Sequence, residues 1–549
     1  LQEAQDADGA LVAARRAVAL APRHAEARAH LGLLLFQFSQ KDPARAPEAA
    51  RELRVAAGLL PQDPELWARL GEVSEQLKDN EGALRAWLRL GRLRPGFMAA
   101  WERAAIHARA LQNYEGRRES VLALNARNPE ARHLRMLEDL ARDQVQAGYL
   151  AHAEEGFLLL ARHLPEEAGL WENVALVRLQ TSRFAEALES LEKAEALSPS
   201  SRIAFNTARA LMNLGRFPEA EARLAGLLAG KIEDAGIADG SQALYAEALL
   251  LQGKGGALLA YLKNHPGRPR VAGELQVFTC QALIARNDWK SALAALKDGI
   301  ARFPKVPFFQ QAAALPPEHL EYRFFSRKGT RTALEQLHQE GMASIWSEFQ
   351  RWDKCLEAID KARALGPIQG VDTLIMQSSA YDQVGRHADS LRVLREAQKA
   401  DPDNPMVQNN LGYLLLERDL NLEEAAALIE ASAKATPDNG NVLDSLGWVQ
   451  FKLGKIAEAE ATLRRAAELS PFSPEVRKHL GEVLVKQGKL LEATEQWERA
   501  LAFVFPDRAA LEKRLSELRI RLAKEQARKA EDPQAPLPDS TPDDDEEHP

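Results

Sequence analysis

Residue types that support catalysis are present in this sequence, but none occurs at the spacing that an active site requires. The segment Gly253–Gly256 resembles part of a phosphate-binding loop, yet Ala248 replaces the upstream glycine and no Ser or Thr follows Lys254. The sequence contains no HExxH zinc motif, no CxxC pair and no GxSxG nucleophile turn. The twelve histidines are dispersed along the chain. These patterns predict no catalytic residues, no bound cofactor and no metal site.

Two further features could carry chemistry but have simpler interpretations. Cys280 and Cys355 are too few for a disulfide framework, and each takes a place that comparable segments fill with alanine or glycine. We therefore expect two buried thiols that act as small apolar residues. The acidic run Asp543–Glu547 lacks the ordered spacing of a calcium loop, so a solvated tail is expected there.

One group of aromatic and polar residues lies on a helix face that core packing does not explain. Trp448 directly follows the small Gly447, about 100° further around the helix, and Tyr413 follows Gly412 in the same way. Phe451 lies one turn after Trp448. Asn409 lies one turn before Tyr413, and Asp444 lies one turn before Trp448. We call these partner-binding candidates the recognition strip: Asn409, Tyr413, Asp444, Trp448 and Phe451. Such residues anchor peptides, although they could instead fill gaps between adjacent helices.

The strip belongs to a repeating pattern of helical hairpins. In residues 440–471, small and large apolar residues share one face of a first helix, Gly454 interrupts it, and a second helix ends before Pro471. The pattern recurs about 34 residues downstream and at nearly the same shift upstream. A single hairpin of this length cannot bury both apolar faces, so each unit needs neighbours with the same pattern.

This spacing resembles the tetratricopeptide repeat. The resemblance extends over 10–506 and is strongest at 64–95, 168–199 and 405–506. It implies an all-α fold, a right-handed α-solenoid of stacked hairpins with a C-terminal capping helix, and a scaffold that binds protein or peptide partners in its concave groove.

Residues 405–506 also resemble bacterial tetratricopeptide lipoproteins that act as adaptors for carboxyl-terminal processing proteases. That resemblance implies an alternative function, an envelope-associated adaptor that presents substrates to a protease or assembly machine. Those proteins begin with a lipoprotein signal and an acylated cysteine, which this sequence does not show.

Departures from the repeat predict how the chain is divided. We expect an N-terminal array at 1–304 with an incomplete first repeat, irregular at 229–272 and with a loop at 229–242; an irregular aromatic and proline-rich helical segment at 305–340; a C-terminal array at 341–506; a capping helix at 507–530 that Asp507 begins; and a disordered acidic tail at 531–549. The irregular segment is either a degenerate hairpin that packs its rings or a dedicated binding element. Its rings are Phe308, Phe309, Tyr322, Phe324 and Phe325.

Composition argues against several classes of function. The net charge of −8 is carried by the last nineteen residues, so the repeats are neutral overall and no broad nucleic-acid surface is expected. No apolar run is long enough to span a bilayer. The chain begins with Leu1, which we interpret as a fragment or processed form whose compartment, cytoplasmic or periplasmic, stays open. We expect a non-catalytic bacterial scaffold; the alternative of another class is an enzyme whose site is assembled from distant repeats.

Overall fold

The computed structural model describes residues 2–320, 328–368, 370–505 and 508–531. Every element in these ranges is an α-helix or a short 3-10 helix, which confirms the predicted all-α class. The chain divides into two compact units, Leu1–Pro165 and Glu166–Pro549. None of the described helices combines the length and the apolar character that crossing a bilayer requires.

The first unit is a series of antiparallel helical hairpins. A first helix packs against the second helix of its own hairpin, and that second helix packs against the next first helix. Its helices are α1 Gln2–Leu20, α2 Ala25–Ser39, α3 Ala46–Leu59, α4 Pro64–Gln76, α5 Asn80–Leu93, α6 Met98–Ala110, α7 Tyr114–Arg127, α8 Ala131–Ala147 and α9 Leu150–His163, with a 3-10 turn at Pro43–Arg45.

The second unit has the same hairpin pattern and ends in a longer helix. Its helices are α10 Ala168–Gln180, α11 Phe184–Leu197, α12 Ser201–Asn213, α13 Phe217–Ala229, α14 Ala235–Leu251, α15 Gly255–Asn264, α16 Ala272–Ala285, α17 Trp289–Arg302, α18 Pro307–Ala313, α19 Lys328–Glu348, α20 Trp352–Leu365, α21 Val371–Gln383, α22 His387–Ala400, α23 Pro405–Glu417, α24 Leu422–Ala435, α25 Gly440–Lys452, α26 Ile456–Leu469, α27 Pro474–Lys486, α28 Leu490–Ala500 and α29 Arg508–Glu531, with a 3-10 turn at Pro317–Leu320.

Within the hairpins a small residue of the first helix accepts a large side chain of the second. A Cβ at Gly447 would lie 2.5 Å from Cγ of Leu463, and one at Gly412 would lie 2.7 Å from Cγ1 of Ile429. The two helices can therefore approach closely only because no side chain stands at these positions. The small-and-large alternation in the sequence is thus the cause of the hairpin geometry.

The predicted loop at 229–242 is wrong, because α14 begins at Ala235. The Asp234 carboxylate caps the helix by accepting a hydrogen bond of 2.9 Å from the backbone N–H of Ile237. Gly240 packs against Phe205, where a Cβ would lie 2.8 Å from the ring. The glycine at this position serves close helix packing instead of a loop.

The first two aromatic rings of the irregular segment are packed against their neighbours. Phe308 and Phe309 are buried, and their ring centroids lie 5.5 Å apart in an edge-on arrangement. Phe309 fills the space beside Gly299 on α17. Tyr322, Phe324 and Phe325 lie outside the described residues, as do Asp507 and 532–549.

The predicted capping helix is present as α29, which packs against α28. Leu511, Leu515 and Leu518 are buried on one face of it. The predicted thiols are also confirmed: Cys280 and Cys355 are free and fully buried. Burial raises the pKa of each thiol to about 12, so both are protonated at neutral pH and are poor nucleophiles.

A contact across 138 residues joins two parts of the second unit. Nη2 of Arg351 donates a 2.7 Å hydrogen bond to the carbonyl oxygen of Asn213, the last residue of α12. Beside it, the Phe217 ring meets Trp346 and Phe349 edge-on, with centroids 5.9 and 6.2 Å away. A cation at a helix C-terminus also interacts favourably with the helix dipole.

Replacing Arg351 by alanine removes the hydrogen bond to Asn213. We expect the free energy of local unfolding at this contact to fall by about 1.5–3 kcal/mol, the usual contribution of a hydrogen bond to a charged group. Amide hydrogen exchange should then quicken at the C-terminal end of α12. Lys354→Ala, which removes an exposed cation one turn away on α20, serves as the control. Unchanged exchange in α12 of the Arg351→Ala variant would show that the contact contributes nothing.

Candidate partner-recognition site

The recognition strip lies on two first helices, α23 and α25, and borders the next first helix, α27. Helix α25 packs against both α23 and α27. Each helix has a polar N-cap residue whose side chain accepts hydrogen bonds from backbone N–H groups of the first turn. Asn404 accepts from Met406 and Val407 at 3.0 and 3.2 Å, and Asn439 caps α25 in the same way. Ser473 caps α27. Because all three helices begin at equivalent places, residues at equivalent positions face the same side.

Trp448 connects all three helices. Its ring is stacked on Phe451 of the same helix, with centroids 5.1 Å apart, and on His479 of α27, with centroids 4.3 Å apart. Its indole Nε1–H donates a 2.6 Å hydrogen bond to Glu417 at the end of α23. A half-buried tryptophan held on several sides has little rotamer freedom left to lose on binding.

His479 is a site residue that was not among the predicted ones. Its Nδ1 lies 3.0 Å from both carboxylate oxygens of Asp444, and both residues are buried. Since a carboxylate only accepts, the Nδ1–H donates. The ring of Tyr413 lies 6.4 Å from that of His479. A signal in the sequence could have identified this histidine, because it follows Asp444 by the same 35 residues that separate Asp444 from Asn409.

The structure brings four of the five predicted residues into one cluster, and places the fifth beside it. Asp444, Trp448 and Phe451 are linked directly or through His479, which also approaches Tyr413. Asn409 and Asp444 differ from exposed contact residues, because only 6% of each is exposed. Packing between first helices therefore accounts for Asp444 and for one side of Trp448, while the three aromatic rings keep part of their surface open.

The electrostatic environment of this cluster is acidic. Burial raises the pKa of the Tyr413 hydroxyl above its ordinary value, and four negative charges raise it further. These charges come from four successive first helices: Glu417 on α23, Asp444 on α25, Glu475 on α27 and Asp382 on α21. Within the described residues, cations close to this cluster include Lys452, 5.5 Å from the Trp448 centroid, and Arg418, 3.7 Å from Asp382.

Comparison with known proteins places repeats of one family at this site. Residues 375–440 and 445–510 match the family model described as tetratricopeptide repeat, and these ranges include every residue of the recognition strip except Asp444, which lies between them. The chain is 31% identical over 116 residues to the TPR repeat-containing protein PA4667 of Pseudomonas aeruginosa. That match covers 21% of this chain and only 20% of the relative.

Solved structures with low identity are also similar. A chain in the structure of Naa15/Naa10 bound to HypK-THB is 15% identical, with 97% of this chain and 96% of that chain covered and a TM-score of 0.34. The thermophilic TPR protein TTC0263 of Thermus thermophilus is 22% identical, with 34% of this chain and 99% of that chain covered and a TM-score of 0.29.

Proposed function

We propose that this chain, whose residues 375–440 and 445–510 are tetratricopeptide repeats, is a non-catalytic scaffold that grips a protein or peptide partner on the face formed by α23, α25 and α27. Repeats of this kind are protein-interaction modules, and stacked hairpins offer a continuous surface made by their first helices. The recognition strip is the part of that surface where we place the contact.

The observation that carries this proposal is the fixed Trp448 with Tyr413 and Phe451 around it. Aromatic side chains contribute large contact areas and are enriched among the few residues that dominate binding energy. Trp448 is held by stacking and by its hydrogen bond to Glu417, so the free protein already presents it in one orientation. A partner that covers it loses little additional conformational freedom.

The double variant Trp448→Ala, Tyr413→Ala tests this proposal. The wild-type chain is used to capture partners from a lysate, the captured protein is identified, and its affinity is then measured with purified components. We expect the double variant to bind at least about 30-fold more weakly, since dominant interface residues each contribute about 2 kcal/mol or more.

The control is Phe472→Ala, which removes an exposed aromatic residue from the turn before α27 without touching the strip. Circular dichroism checks that all variants keep their helical content. If the folded double variant binds as tightly as the wild type, the contact lies elsewhere in the chain. The adaptor alternative for 405–506 gains support only if the captured partner is a protease or belongs to an assembly machine.

A further inference from the structure

Two exposed carboxylates beside the recognition strip are not neutralised by a cation within the described residues. Glu417 accepts a hydrogen bond from the indole N–H of Trp448, and Glu475 accepts one of 3.3 Å from the hydroxyl of Ser473. Neither forms an ion pair with any residue that the structure describes. Some other carboxylates of the same array are paired, for example Glu460 with Lys489 at 2.7 Å. Two carboxylates without an ion pair in the described part of the chain therefore lie close to the aromatic rings of the strip.

A second and independent observation concerns the side-chain oxygen of Asn409, a buried hydrogen-bond acceptor. Only 6% of Asn409 is exposed, and its Oδ1 has no hydrogen-bond partner among the described residues. It lies on α23 one turn before Tyr413, on the strip side of the helix. Because a buried acceptor that stays unpaired is unfavourable, this site favours a ligand that brings N–H donors.

One cation of the chain itself, Lys452, already lies over the Trp448 ring. The imidazole of His479 is stacked on it, and the ammonium group of Lys452 lies 5.5 Å from its centre. Lysine and arginine side chains are attracted to the faces of tryptophan rings in this way. The side chain of Lys452 is exposed, so a cation of a partner can take its place.

We propose that the occupant of the recognition strip is a basic segment of a partner protein, whose lysine or arginine side chains are held by Glu417, Glu475 and the Trp448 ring. This inference rests on the proposed function and adds the chemistry of the partner. Charge complementarity carries it, because the strip offers acceptors and ring faces to an incoming cation. The acidic run Asp543–Glu547 of this chain has the wrong sign to occupy the strip.

The experiment uses the full chain and three pools of labelled peptides of equal length. The pools share the same randomised positions and differ only at alternate fixed positions, which are Lys or Arg, Asp or Glu, or Ser or Asn. Fluorescence anisotropy is measured at several salt concentrations. We expect the basic pool to bind most tightly and to weaken as salt rises, because exposed charges are screened.

The double variant Glu417→Gln, Glu475→Gln identifies the residues responsible. It should bind the basic pool about five- to tenfold more weakly than the wild type, since two exposed ion pairs of modest strength are lost. The control Glu423→Gln, Glu430→Gln removes the same net charge from exposed positions of the second helix α24 and should bind like the wild type. Melting curves confirm that both variants fold.

Each outcome decides between the claims. Equal binding of the acidic or neutral pool, or equal losses in both double variants, overturns the basic-partner inference. If that occurs while Trp448→Ala, Tyr413→Ala still loses the captured partner, the proposed function stands and only the partner's chemistry is wrong. If the aromatic variant binds both the captured partner and the basic pool like the wild type, the proposed function and the inference both fail.

Discussion

Replacing Trp497 by alanine is expected to destabilise the C-terminal hairpin by about 3–5 kcal/mol, the usual cost of truncating a fully buried large aromatic residue. Trp497 is 2% exposed and lies on α28, between α27 and α29. Its ring fills the space beside Gly481, its Nε1–H donates a 3.2 Å hydrogen bond to the carbonyl of Lys478, and Arg514 of α29 covers its face at 4.9 Å. Alanine would remove all three contacts.

Amide hydrogen exchange resolves this effect, because repeats open locally rather than in one global step. Protection should fall in α27 and α28 and persist in helices far along the array. Partner binding should weaken too, since α27 carries His479. Trp497→Phe keeps a ring in the same space and should cost less. Equal protection in α27 of the alanine variant and the wild type would mean that this packing contributes little.

The second large effect is a dependence of stability on pH that centres on Glu247. This residue is buried on α14, and burial together with the charges of Glu348 and Glu274 raises the pKa of its carboxyl to about 8. The corresponding unfolded value is about 4.3. Between these values the unfolded chain has lost a proton that the folded protein keeps, so the free energy of unfolding falls as pH rises, by about 1.4 kcal/mol per pH unit for one such group.

Glu247→Gln is therefore expected to stabilise the second unit at pH 8, by an amount on the order of 2–4 kcal/mol, and to change stability little at about pH 4. Hydrogen exchange of α14 and α16 measured across this pH range reports the effect where it arises. Glu233→Gln, at an exposed position in the turn before α14, is the control. A variant whose α14 stability depends on pH as steeply as that of the wild type would show that Glu247 is not the group responsible.

Most of the hairpin architecture could be predicted from local sequence signals. The alternation of small and large residues, such as Gly447 with Leu463, and the prolines and glycines between helices are local features that act the same way in successive units. The spacing of Leu511, Leu515 and Leu518 is a local signal of the same kind, because it places them on one face of a helix, and they are buried there in α29. These signals do not decide whether the segment 305–340 separates two arrays, so that division stays a prediction.

The α14 region shows where such signals fail. Gly236 and Gly240 suggested a loop, because glycine weakens an isolated helix by about 1 kcal/mol. In the folded unit, close packing of Gly240 against Phe205 and the Asp234 cap offset that cost. Glycine composition alone cannot distinguish a loop from a helix that needs close approach, since the difference lies in what packs against it.

The sequence by itself determined the helical hairpins, their order and the helix positions of the strip residues, because these follow from interactions within about 34 residues. The tertiary structure alone decided that Asp444 is paired with His479, that Trp448 is fixed against Glu417, and that Glu247 is buried near other carboxylates. The physical reason is that these contacts join different units. Their distances depend on how successive hairpins stack, and stacking is set by the packing of many side chains at once rather than by any local spacing.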